Sequence, residues 1–204
     1  AHSPVQPGQA TPSLKQVYAD AFALGTAVND DIVAGRDPRA QALVMQHFNA
    51  LTPENVMKAE VLHPEPDRWD FEAADAFVAF GRQHDMFLIG HTLVWHNQTP
   101  AWFFEAAAGT QADTSTMRQR MRDYIHNVAG RYAGKVQAWD VVNEIMGEDG
   151  QYRDTVWTRA YGGDGDALVR DAFRFASEAA PDAELYYNDF NAWRPEKRDG
   201  IVRM

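Results

Sequence analysis

Short apolar runs alternate along this chain with longer stretches in which apolar residues recur every three or four positions. The runs are Phe22–Asn29, Phe48–Leu51, Phe87–Trp95, Val136–Glu144 and Leu185–Phe190, and each predicts a strand. Between them, helical spacing predicts a helix over Arg36–Phe48 with Leu43, Val44 and His47 on one face. A second helix is expected over Trp69–Met86, with Phe71, Ala74, Phe77, Val78 and Gly81 on its buried side. Asp113 is placed to cap a third, which carries Met117, Met121, Tyr124, Val128 and Tyr132 and is ended by Gly134. A fourth runs over Asp166–Ala180 and stops at Pro181, and Arg194-Pro195 opens a last one. Thr52-Pro53 also reads as a helix start, with Thr52 as cap and Pro53 in the first turn.

Strand and helix alternate about five times with no run of consecutive strands. That order predicts an α/β chain with a parallel sheet. No Gly-x-Gly-x-x-Gly follows any strand, so dinucleotide binding has no support. Both faces of Val136–Glu144 are mostly apolar through Val142, as suits a strand covered on both sides. Simple alternation would put Val136, Ala138, Asp140, Val142 and Glu144 on one face. A buried structural role is expected for Asp140. Residues 1–13, rich in small residues, Gln and Pro, read as an N-terminal extension, left by signal cleavage or by cloning. The remaining residues, 14–204, read as one catalytic-domain segment.

Composition narrows the functional classes. The 19 basic and 29 acidic residues give a net charge of −10, which disfavours nucleic acid and anionic membrane surfaces as partners. Cysteine is absent, so no disulfide framework or thiolate metal site exists. His91 and His96 are five apart on opposite strand faces and cannot act as a local metal-binding pair.

Polar and aromatic residues gather where the strands end. They are Asn29, then Glu54, Asn55 and Lys58, then His91 to Asn97, then Asn143-Glu144, then Asn188 to Asn191. Active sites of parallel α/β folds lie at this end of the strands. Amides and carboxylates bind hydroxyls, and aromatic rings stack on the apolar faces of pyranoses, so the set suits a sugar. Trp102, Phe103, Phe104, Trp157, Tyr161 and Trp193 are either further cleft walls or ordinary packing between loops and helices. Asn97-Gln98-Thr99 fits a glycosylation sequon but falls in the expected cleft just before Pro100.

Four motifs then carry a specific resemblance. Thr52-Pro53-Glu54-Asn55-Val56-Met57-Lys58, Gly90-His91-Thr92-Leu93-Val94-Trp95-His96, Trp139-Asp140-Val141-Val142-Asn143-Glu144 and Tyr187-Asn188-Asp189-Phe190-Asn191 occur in series. In order and spacing they resemble glycoside hydrolase family 10, the endo-β-1,4-xylanases. The resemblance implies a TIM (β/α)8 barrel of which this chain supplies about the first five βα units. It also implies retaining hydrolysis of xylan or xylo-oligosaccharide, with two carboxyls about 5–5.5 Å apart and no metal or cofactor. By match to the family motif, Glu144 is the general acid/base. Asn143, His91, Trp95 and Lys58 resemble contacts to the sugar at the cleavage point, and Glu54 and Asn55 contacts to the next sugar. Asn188 and Phe190 match positions lining the site from strand five. The family commonly has Tyr in place of Phe190, which removes a hydroxyl on the leaving-group side.

The family's nucleophile lies in a Thr-Glu-Leu-Asp-like motif on strand seven, and these 204 residues contain no such motif. A second chain or a C-terminal segment is therefore expected to complete the barrel. Secretion, extracellular or periplasmic, is the expected location. Two rival functions are a xylan-binding module without catalysis and a barrel glycosidase that cuts β-glucan. Sugar release from xylan against carboxymethylcellulose separates the latter, and binding without release would mark the former.

Overall fold

The computed structural model describes residues 12–106 and 110–204. The extension expected over residues 1–13 therefore lies outside the described residues, apart from Pro12 and Ser13, the latter capping a short helix α1 (Leu14–Val17). Five strands form one parallel sheet in sequential order: β1 (Gly25–Val28), β2 (Ala50–Pro53), β3 (Phe87–Val94), β4 (Ala138–Asn143) and β5 (Glu184–Asn188). A sheet whose spatial order equals its sequence order is how barrel strands run, whereas a doubly wound sheet reverses partway. A concavity of about 550 Å³ touches residues of all five strands, so the sheet is curled. Five successive βα units of a TIM barrel fit this arrangement. The concave side is largely polar, since Thr26, Thr52, Glu54, His91, Asp140 and Asn188 all line it.

The convex side carries the apolar core. Leu88, Trp139 and Val141 pack there against α5 (Glu72–Gln83), α6 (Thr114–Arg131) and α8 (Gly165–Ala179), which contribute Phe77, Tyr124, Val128, Leu168 and Phe175. Each such side chain contributes about 1.5–3 kcal/mol when fully buried. The α6 start is as expected: Asp113 accepts from the Thr116 amide at 2.7 Å. The remaining helices are short or peripheral: α2 (Asp30–Val33), α3 (Pro38–His47), α4 (Ala59–Leu62), α7 (Val156–Ala160) and α9 (Pro195–Arg203).

Four local expectations fail. Thr52-Pro53 does not start a helix, because both residues pair with β1, Thr52 against Ala27 and Pro53 against Val28. Pro53 is tolerated because it ends the strand, where it removes no interior ladder bond. The β4 alternation is broken. Asp140 pairs with Tyr186 but Val142 with Tyr187, so Val141 is an extra residue and everything after it is re-aimed. Leu43 on α3 is exposed while Val44 is buried. Trp69 lies outside α5 and instead stacks on buried His63, centroids 3.7 Å apart. Helix α7 was not foreseen. Thr155 and Thr158 form its capping box, and Trp157 anchors it in the core.

Candidate active site

The bulge in β4 delivers the two polar residues at its end. Asn143 is buried at the last strand position. Glu144 then leaves the strand with φ +55°, a left-handed conformation costing about 1–2 kcal/mol for a residue with a Cβ. Its amide donates to Asn188 O at 2.9 Å, which ties the turn to β5. The Trp95 indole donates to Glu144 Oε2 at 3.3 Å. The side-chain amides of Asn143 and Asn188 meet at 2.8 Å. With the Asn143 amide turned over, its oxygen instead accepts from Trp95 Nε1 at 3.2 Å and its nitrogen donates to Asn188 O at 3.3 Å.

Strand β3 supplies the next pair. His91 and Asp140 are register partners, and His91 Nδ1 lies 2.9 Å from Asp140 Oδ2. A carboxylate on Nδ1 holds the proton there and leaves Nε2 free to accept. Asp140 was expected to be buried, but it is half-buried and lines the concavity, from which it orients His91. Thr92 Oγ1 donates to Asp140 O at 2.7 Å, and the His91–Thr92 peptide is cis.

A second hub lies on the β2 side. Lys58 is buried, and its ammonium donates to Asn55 Oδ1 at 3.0 Å and Gln98 Oε1 at 2.7 Å. It sits 4.8 Å from the Trp95 ring centroid, a cation–π distance. Burial pushes the Lys58 ammonium below its ordinary pKa, against the pull of Glu60, Glu144 and Glu54. Gln98 Nε2 donates to Glu60 Oε1 at 2.8 Å and to Asn55 Oδ1 at 3.2 Å. Sequence reasoning saw Gln98 only inside a sequon. Its signal was faint: an amide just beyond an aromatic strand end, with a partner forty residues away.

The structure therefore brings the expected residues together in two linked groups. Glu54, His91 and Asn188 line the concavity, and Asn55, Lys58, Trp95, Asn143 and Glu144 connect around its rim. Asn29 does not join them, since its side chain caps α2 through the Ile32 amide at 3.0 Å. Trp102, Phe103, Phe104, Trp157 and Tyr161 belong to the core or pack on it, so packing is the correct reading for all five. Trp193 is 74% exposed. Phe190 is exposed, its ring 4.0 Å from Lys197 Nζ. Among the described residues no three His, Asp or Glu side chains gather into a metal-binding group. A larger cavity, about 600 Å³, lies between α2 and α5 and touches none of the site residues.

A curled parallel sheet with a carboxylate, two amides, a buried lysine and an indole on its C-terminal rim is the arrangement in which parallel α/β barrels build their sites. The family model described as glycosyl hydrolase family 10 matches residues 13–204, and the chain belongs to that family. It is similar to endo-1,4-beta-xylanase A of Xylanibacter ruminicola, 40% identical over 196 residues, covering 96% of this chain and 52% of that protein. Its fold is similar to a GH10 endoxylanase retrieved from a sugarcane soil metagenome, with TM-score 0.90 and 42% identity, covering 95% of this chain and 57% of that one. A mutant structure in complex with xylotriose matches with TM-score 0.87 and 37% identity, covering 95% and 57%. The chain thus spans about half the length of each of these three relatives.

Proposed function

We propose that these residues are the acid/base-bearing part of a retaining endo-1,4-β-xylanase. The observation that carries the reading is Glu144, presented on a strained turn at the end of β4, with its carboxylate against Trp95 and beside the Lys58 hub. Glu144 protonates the departing glycosidic oxygen, then takes the proton of the attacking water. Asn143, held against Asn188, offers its amide to the sugar's 2-hydroxyl. His91 Nε2, Lys58 and Trp95 contact the sugar at the cleavage point, and Glu54 and Asn55 the next sugar. Endoxylanase relatives and the xylotriose-bound neighbour support xylo-oligosaccharide as the ligand class. The nucleophile comes from residues outside these 204, on the remaining strands of the barrel. Secretion fits a polymeric substrate that cannot enter a cell.

The test is sugar release from xylan and from carboxymethylcellulose by a polypeptide carrying a whole family 10 barrel around these residues. Release from xylan that is lost on Glu144→Ala supports the reading. Equal release from both polymers, or xylan binding with no release, overturns it.

A further inference from the structure

Behind β5 lies a chain of contacts that the reading above does not use. Lys197, on α9, is fully buried. An ammonium in such a place must be paired. Its Nζ lies 2.7 Å from Asp189 Oδ1 and 3.3 Å from Glu148 Oε1. The Asp189 side chain is itself 1% exposed, so the two charges face each other away from water. The second carboxylate oxygen, Asp189 Oδ2, accepts from the hydroxyl of Tyr187. That hydroxyl oxygen accepts in turn from the backbone amide of Met146 at 3.0 Å. Met146 is two residues beyond Glu144.

Holding α9 in place does not require this chain. The helix already packs backbone to backbone on the preceding turn: a Cβ on Gly150 would stand 2.2 Å from Glu196 O, and one on Gly200 2.6 Å from Gly150 O. Arg203 also donates to Gly150 O, at 3.2 Å. What the buried pair adds is direction. It aims one carboxylate oxygen at Tyr187, and so aims Tyr187 at the Met146 amide, two residues beyond the left-handed residue. A side-chain-bearing residue at φ +55° persists only where its surroundings hold it. Asn188 O holds the Glu144 amide on one side, and the Tyr187 hydroxyl holds Met146 on the other.

We propose that Lys197 is a positioning residue for Glu144. Its buried ammonium orients the Asp189 carboxylate, which fixes the Tyr187 hydroxyl beneath the Met146 amide and so sets the turn that aims the acid. The inference rests on Glu144 being the acid/base.

The test uses the same whole-barrel polypeptide and two aryl β-xylobiosides. A phenyl leaving group needs protonation as it departs, and a dinitrophenyl group does not, so their kcat/KM ratio reports on acid placement. Glu144→Ala serves as the reference and should lower kcat/KM for the phenyl substrate by about a hundredfold or more, far more than for the dinitrophenyl one. Tyr187→Phe leaves the Lys197–Asp189 pair in place and cuts only the link to Met146. We expect it to lower phenyl kcat/KM by at least about tenfold, part of the range a general acid supplies, with the dinitrophenyl value nearly unchanged. Lys197→Met should change the ratio in the same sense, and if that variant fails to fold, Tyr187→Phe still decides. A merely structural role would lower both substrates together, and an unchanged ratio for Tyr187→Phe overturns the proposal. If Glu144→Ala itself leaves the ratio unchanged, the acid/base reading is what has failed.

Discussion

The ring of Trp139 lies directly on Gly90, where an added Cβ would stand 2.2 Å from both Cε3 and Cζ3. Two neighbouring strands thus share one space: β4 fills it with an indole and β3 leaves it empty. The position is one residue before His91, so the fit sets how β3 meets β4 where the site begins. Gly90→Ala should destabilise the fold by about 1–3 kcal/mol, the usual cost of overpacking a tight core. Urea unfolding measures it. A variant within 0.5 kcal/mol of the parent, roughly the range of neutral surface changes, would mean the indole can move aside.

The aromatic residues outside the strands give a second comparison. Trp157 is buried, with its indole donating to Trp95 O at 3.0 Å, whereas Trp193 stands in solvent. Trp157→Ala should cost about 3–5 kcal/mol, and Trp193→Ala less than about 0.5 kcal/mol. Thermal or urea unfolding of the two variants side by side checks the contrast. Comparable losses would contradict the division between core and surface drawn here.

What could be read before folding was whatever is encoded locally. Helix α6 was legible because Asp113, the Met117–Tyr132 spacing and Gly134 all lie within one stretch of chain. Thr52-Pro53 carries the same kind of local signal and misled, because pairing with β1 outweighs a capping preference. The bulge at Val141 was invisible, since it exists only in the register of β4 with β5. Site residues were legible as a set of polar strand ends, and their roles through the family motifs. The partners that hold them were not. Gln98 meets Lys58 across forty residues, and nothing near Lys197 in sequence announces that a lysine there is buried.

Asp171 joins α6 to α8, and its charge makes that joint sensitive to acid. It accepts from Arg118 Nε at 2.6 Å, Arg174 Nη2 at 2.7 Å and Tyr161 OH at 3.2 Å. Burial alone would raise its pKa, but the Arg118 bond and charge outweigh it and hold the carboxyl below its ordinary value. A carboxyl depressed in the fold contributes stability in full above its unfolded pKa, near 4, and loses it as pH falls through the folded one. Asp171→Asn should therefore cost about 1 kcal/mol at pH 7, a modest figure because Arg118 is partly exposed and screened. The gap between variant and parent should close progressively below about pH 4. A gap that stayed constant to pH 2 would assign the loss to packing and not to charge.

Lys58 sets stability against function most directly. Burial lowers its pKa, so the fold disfavours the charged form relative to the unfolded chain. In the pH window between the two values the unfolded state binds more protons, and stability rises with pH. At neutral pH the charge is therefore a cost that the Asn55 and Gln98 oxygens and the Trp95 ring only offset. Lys58→Met keeps the length and apolar stem of the side chain and removes that cost. Its melting temperature should equal or exceed the parent's, since Asn55 is exposed and Gln98 only half-buried, so water can satisfy the amides left behind. If Lys58 contacts the sugar as proposed, the same variant should bind xylobiose at least about tenfold more weakly, a loss of ~1.4 kcal/mol. Calorimetric titration and a melting curve on one preparation read both quantities. Weaker binding with a lower melting temperature would make Lys58 a structural support. Unchanged binding would remove it from the sugar site altogether. Only a protein that melts no earlier and binds worse fits a buried charge kept for its ligand.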